Sequence, residues 1–333
     1  LSYILYRTIY IMIIKKEKKG SVTIYYVDKD YDDSKVHKVF NRKLRPDDIK
    51  YIIKDDTDVF TKDGELLLRF RKNKLKKANL DAFYDNVIKF AMNTSGNRGT
   101  ASASKNKVLG QNPEVMSNIL GYFDKFSASQ KIVFKQRGFK PTISVRETRF
   151  NMDYPEEFKK LVPLIKEVDH YYKKYAPAEY AKQRKKANQT PFKIPGTAFT
   201  TVTTNVNFQT AVHTDKGDDE EGFGNLVVIE HGKYKGGETC FPQYGIGVDV
   251  RSGDVLFMDV HQAHANLPII LEEPDARRLS IVCYLRKSIW LQTKHKTKKF
   301  MTKHNKTLRK LRHERKGGEL GIGLGLEVDS DTD

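Results

Sequence analysis

Two spacings of apolar residues organise this chain. After Pro155, the positions Phe158, Leu161, Val162, Ile165, Val168, Tyr172 and Tyr175 recur every three or four residues. That period predicts a helix with one face turned to a core. Pro155-Glu156-Glu157 suits its first turn, where proline loses no hydrogen bond and acids meet the positive end of the helix dipole. From residue 197 the texture changes to short β-rich segments separated by Gly and Asp turns: 197–207, 225–230, 246–250, 255–258 and 280–286. Several short strands at such spacing predict a sandwich or barrel. Upstream, residues 22–27 and 143–150 have strand composition, and Asp63-Gly64 before the apolar run 66–70 predicts a hairpin. Residues 93–105 are rich in Ser, Gly and Asn and predict a loop, and 180–188 a basic connector. The fold class expected is α+β, helices flanking a β-barrel-like core. No internal repeat of 20–50 residues is visible.

Composition narrows this picture. Of the 333 residues, 38% are hydrophobic and 11% aromatic, enough for a core, so wholesale disorder is excluded. Two cysteines, Cys240 and Cys283, exclude a disulfide framework and a cysteine-rich zinc module, and point to a reducing compartment. The net charge is +18, and residues 294–316 hold eleven Lys/Arg against one acid, Glu314. A run that dense suggests a polyanionic partner such as nucleic acid, or a nuclear-import signal on a solvated tail. No apolar run is long enough to span a membrane. Arg7 interrupts the apolar start and no small-residue cleavage site follows, which argues against a signal peptide. The chain begins with Leu, and the first methionine is Met12. Residues 1–11 are therefore expected to be an upstream extension.

The candidate chemistry centres on His213-Thr214-Asp215. Side chains two apart on an extended strand share a face, so an imidazole and a carboxylate can reach one metal ion. His-x-acid alone is a chance-level pattern. Fifty-one residues later comes His264, within His261-Gln262-Ala263-His264-Ala265-Asn266, about four strands away, enough to circle a small barrel and return. Two histidines and one carboxylate with open positions form the facial triad of non-haem Fe(II) oxygenases. His261 competes with His264 for the third place, and the His-x-Asn pattern favours His264. Arg278 opens the strand that follows, where a guanidinium fork suits the far carboxylate of 2-oxoglutarate.

The order His213-x-Asp215, Gly236-Gly237, Gly253-Asp254-Val255-Leu256-Phe257, His264-Ala265-Asn266 and Arg278-x-Ser280 resembles the TET/JBP family of 2-oxoglutarate- and Fe(II)-dependent DNA-base dioxygenases. Arg146-Glu147-Thr148 and Pro195-Gly196-Thr197-Ala198-Phe199 are similar too, and the likeness covers about 66 to 289. It implies a double-stranded β-helix (jelly-roll) core at about 197–290 within an oxygenase domain, 81–292. An N-terminal β-containing region, 12–80, would pack on it, and 293–333 would be a basic, then acidic, disordered tail. It implies iron held by His213, Asp215 and His264, 2-oxoglutarate held by Arg278, and O2 as co-substrate. The activity implied is hydroxylation of the 5-methyl group of 5-methylcytosine or thymine in DNA, with succinate and CO2 as co-products. Asp218 lies where relatives place a base-contacting Asp or Asn, yet it belongs to the acidic run 218–221, which a solvated loop also explains. Arg286 stands where methylcytosine-oxidising relatives carry a His, which puts cytosine in doubt and keeps thymine open. The rivals are an oxygenase acting on a prolyl or lysyl side chain, and a silent nucleic-acid-binding β-barrel. DNA is the partner implied, with no membrane and no obligate protein partner. The basic tail implies a nuclear place in a eukaryote, and otherwise a cytoplasmic or viral one.

Overall fold

The computed structural model describes residues 13–96, 98–104 and 112–318. The expected upstream extension, 1–11, and the acidic end lie outside the described residues. In chain order the strands are β1 (Ile13–Lys19), β2 (Val22–Val27), β3 (Tyr51–Ile53), β4 (Thr57–Thr61), β5 (Leu66–Arg71), β6 (Ser117–Phe123), β7 (Arg146–Glu147) and β8 (Thr201–Val206). Then come β9 (Gly224–His231), β10 (Tyr234–Gly236), β11 (Thr239–Phe241), β12 (Ile246–Val248), β13 (Val255–Met258), β14 (Ala265–Asn266), β15 (Ile269–Leu271) and β16 (Arg277–Tyr284). The helices are α1 (Asp33–Val36), α2 (Lys77–Ala91), α3 (Ala128–Gln136), α4 (Arg149–Asp153), α5 (Pro155–Tyr175), α6 (Pro177–Asn188), α7 (Lys287–Thr293) and α8 (Lys298–Gly318).

Ten strands form the main sheet in the order β1-β2-β4-β5-β13-β9-β16-β8-β6-β7, and four form a smaller one, β14-β11-β12-β3. Pairing is antiparallel apart from β2 with β4 and β3 with β12. β16 shows how the alternating pattern builds three layers. Its odd positions Leu279, Ile281 and Cys283 are buried with the apolar faces of α2 and α5, including Phe83, Val87, Leu161, Ile165, Val168 and Tyr172. Its even positions turn to the opposite face, towards the smaller sheet, as the two-residue period requires. At the other end of the sandwich, Val59, Leu68, Phe70, Leu256 and Met258 pack on Phe241, Ile246 and Val248 of the smaller sheet. The result is the jelly-roll expected, two facing sheets with helices on the outer face.

Four expectations are corrected. The N-terminal region is woven into both sheets: β5 pairs with β13 and β3 with β12. Residues 180–188 are helical within α6, since Pro177 at its first turn starts a helix whose solvent face needs no apolar stripe. The basic tail is ordered over Lys298–Gly318 as α8, because Leu308 packs with Phe126 and Phe134 and Phe300 and Met301 pack beside Phe192 and Ile289. The run 143–150 yields only the two-residue β7 before α4 begins. No helix among the described residues is long and apolar enough to cross a membrane.

Candidate metal centre and cavity

His213 and His264 are brought together by the backbone. The His213 N–H donates to the His264 carbonyl at 3.0 Å and the His264 N–H returns the bond at 2.9 Å. This bridge closes the gap of fifty-one residues, and the imidazole centroids stand 4.5 Å apart. His213 Nδ1 donates to the Ala211 carbonyl (2.8 Å) and His264 Nδ1 to the Gln262 carbonyl (2.9 Å). Each Nε2 is thereby left as the atom facing Asp215, at 3.7 Å for His213 and 3.6 Å for His264. Fixing one ring nitrogen on a carbonyl is how proteins set the tautomer of a metal-binding histidine. One donor atom from each residue lies within 4.8 Å of the other two, and among the described residues this is the one such group of three.

The electrostatics agree with a cation site. Burial, helped by the neighbouring His264, pushes His213 down to about 4, so it is neutral and ready to ligate at neutral pH. Burial works to raise the Asp215 carboxyl, but the contact with His264 and the charge of His213 overcome it and hold it below the usual range. Burial likewise works against a charged His264, yet the Asp215 carboxylate beside it raises its pKa. A proton there stands where a metal ion would bind. His261, the competing candidate, points away: its Nε2 meets the Asp219 carbonyl at 3.1 Å.

The triad opens into a cavity of about 650 Å³ between the two sheets. Arg278, Ser280, Val282 and Tyr284, the even positions of β16, line it together with Arg286, just past the strand's end. Arg278 and Arg286, eight residues apart, share one cavity because it runs along β16, which stops at Tyr284. Arg278 is 4% exposed, and among the described residues its Nε has no hydrogen-bond partner. A buried guanidinium with an idle donor costs free energy unless an anion meets it. The Gly236-Gly237 pair explains how it is seated. Both have positive φ, and a Cβ on Gly237 would stand 2.7 Å from Arg278 Nε. One on Gly236 would stand 1.9 Å from the Pro268 carbonyl oxygen.

Asp218 and Arg286 face each other across a backbone bridge, and both are buried. The acidic run at 218 is therefore not a solvated loop at its first residue. Burial, reinforced by the Asp215 charge, pushes the Asp218 carboxyl well above its ordinary value, against the pull of Arg286. Arg286 is itself held from behind. Its Nε donates to Asp124 Oδ1 at 2.9 Å and its guanidinium lies 4.6 Å from the Phe123 ring. Its backbone N–H donates to Thr200 Oγ1.

Arg98 was missed by sequence reasoning. It lines the same cavity, and its Nε donates to Ser117 Oγ at 2.9 Å, which continues through Asn205 to Ser280. Its charge acts on Asp215 and Asp218. No local signal marks it, since it sits in a Ser/Gly-rich loop 115 residues before His213. The segments around 146–148 and 195–199 prove to be supports. Arg146 Nε donates to the Lys125 carbonyl and Asp169 accepts from the Ala198 N–H.

Residues 131–287 match the family model Tet_JBP, the oxygenase domain of the 2OGFeDO superfamily. A curated relative, the bifunctional helicase and thymine dioxygenase JBP2 of Leishmania braziliensis, is 38% identical over 141 residues, covering 42% of this chain and 13% of that one. Thymine dioxygenase JBP1 of Trypanosoma brucei brucei is 33% identical over 175 residues, covering 52% of this chain and 19% of that one. The chain thus spans no more than about a fifth of the length of these relatives. A solved structure, NgTET1 in complex with 5mC DNA, aligns over 71% of this chain and 82% of that one, at 13% identity and a TM-score of 0.47.

Proposed function

We propose that this chain, whose residues 131–287 form a TET/JBP-type oxygenase domain, hydroxylates the 5-methyl group of thymine in DNA with iron and 2-oxoglutarate as cofactors. The metal and co-substrate fit the residues present. Two neutral-capable imidazole Nε2 atoms and a carboxylate make a hard-to-intermediate donor set with open positions, the pattern used for non-haem Fe(II). The idle Nε of Arg278 suits the far carboxylate of 2-oxoglutarate, with Ser280 two residues along the same face. When bound, iron and 2-oxoglutarate would let O2 oxidise the methyl C–H to C–OH, 2-oxoglutarate giving the other two electrons as it becomes succinate and CO2.

The rest is done by the chain. The cavity walls orient the methyl carbon towards the triad and keep water away from it. A base inside a duplex cannot reach that depth, so it must be flipped out at a cost of a few kcal/mol. The observation that favours thymine is the pair at the cavity wall, Asp218 and Arg286. A guanidinium donates only, and burial with the Asp215 charge shifts the Asp218 carboxyl towards its protonated form, which can donate as well. Thymine offers carbonyl oxygens to such donors, where cytosine presents an amino group that needs an acceptor. The thymine activity in the names of the two curated relatives supports the same choice.

The deciding experiment is nucleoside mass spectrometry after incubation with Fe(II), 2-oxoglutarate and duplexes carrying thymine or 5-methylcytosine. 5-Hydroxymethyluracil is the expected product. 5-Hydroxymethylcytosine alone would overturn the base assignment, and succinate release without any modified base would move the substrate outside DNA.

A further inference from the structure

Helix α8 carries its apolar and cationic positions on opposite faces. Phe300, Met301, His304, Leu308 and Leu311 follow one another at helical spacing, and His304 and Leu308 are buried. Lys299, Lys303, Lys306 and Lys310 follow at intervals of four, three and four, and all are exposed. The inner face docks through other side chains. His304 Nε2 donates to the Val145 carbonyl at 2.6 Å, Arg309 forks onto Glu147 at 2.7 and 2.9 Å, and Arg312 forks onto Asp153 at 3.1 and 2.7 Å. Paired arginine forks fix orientation as well as position.

The docking site matters as much as the charge. Glu147 belongs to β7, the last strand of the main sheet, and pairs with Tyr122 of β6. Two residues on from Tyr122 is Asp124, which holds Arg286 in the cavity wall. One strand pair therefore carries both the lysine helix and a wall of the cavity. Further cations gather on this flank: Lys193 is held below its ordinary pKa by burial and by the nearby charges of Arg184 and Lys298.

We propose that the outer face of α8 is a rail for the phosphate backbone of duplex DNA, fixed to the oxygenase so that the strand beside it presents its base to the cavity. The rail rests on the reading of DNA as the substrate. Lys299 to Lys310 span about 16 Å of helix at 1.5 Å per residue. A DNA strand places a phosphate about every 3.4 Å of axis, so the row faces about four or five of them.

The test uses the full chain with Lys299→Gln, Lys303→Gln and Lys306→Gln combined. The matched control is Lys16→Gln, Lys18→Gln and Lys19→Gln on β1, at the opposite edge of the same sheet. Affinity for a thymine-containing duplex is measured against salt, without cofactors, and thermal midpoints confirm that both variants fold. The α8 variant should lose about 0.9 in the slope of log Kd against log salt for each lysine engaged, about 2–3 in all. The control should keep the parental slope. Equal slopes in all three proteins, or equal losses in both variants, would overturn the rail whatever base the enzyme oxidises. Tight binding to anionic vesicles with none to the duplex would overturn it in favour of a lipid surface. A selective slope loss in a protein that oxidises no DNA base would keep α8 as a DNA-binding face but sink the substrate reading and, with it, the presentation of a base to the cavity.

Discussion

At the scale of single residues, the candidate centre makes sharp demands. His213→Ala or Asp215→Ala should abolish turnover and lower Fe(II) affinity by orders of magnitude, readable by metal titration of the purified protein. Retained stoichiometric binding would dismiss the triad. Because Asp215 raises His264 above its ordinary pKa, metal must displace a proton there. Affinity for Mn(II) or Co(II) should therefore fall about tenfold for each unit of pH below that raised value and level off above it. Arg278→Ala should raise the 2-oxoglutarate concentration needed for half-maximal turnover at least tenfold, and Arg278→Lys less, since a lysine keeps the charge but not the fork. Gly237→Ala should act in the same direction, because its Cβ would displace Arg278 Nε. An unchanged requirement in both would leave Arg278 without the role. The metal residues were legible because each carries its chemistry in its type and spacing. Arg98 was not, because only the folded loop brings it to the cavity.

At the scale of elements, the two-residue period of β16 was readable in advance. It sends Leu279, Ile281 and Cys283 to the helices and Arg278, Ser280 and Tyr284 to the cavity. The stripe of α5 was equally plain, with Leu161, Ile165, Val168 and Tyr172 all buried. α6 and α8 were hidden because their apolar positions are few and set among lysines, so charge dominated the pattern. Yet α8 docks, with Leu308 buried against Phe126 and Phe134. Leu308→Ala should cost about 2–4 kcal/mol in urea unfolding monitored by circular dichroism, as for other buried leucines. A change below about 0.5 kcal/mol would show that α8 detaches before the rest unfolds.

At the scale of the whole molecule, the sheet order is the part no local pattern announced. The hairpin 57–71 is visible in the sequence, but its place beside β13 is a long-range pairing that hydrophobic spacing cannot specify. A fragment beginning at residue 81 would lose β1 to β5 and leave β13 and β12 each with an open edge. Such edges pair with other chains. We expect that fragment to be insoluble or to unfold non-cooperatively in circular dichroism, and a soluble fragment with a cooperative transition would refute the interweaving.

The same pairing sets an order of events during synthesis. Leu68 of β5 meets Met258 of β13, 190 residues later. At about 5–20 residues per second, a ribosome needs about 10–40 s to cover that distance. Through that interval the hairpin 57–71 has left the exit tunnel while its sheet neighbour does not yet exist. The newborn chain must keep an apolar strand edge waiting, so chaperone dependence of its yield in a cell is built into where its first strands belong.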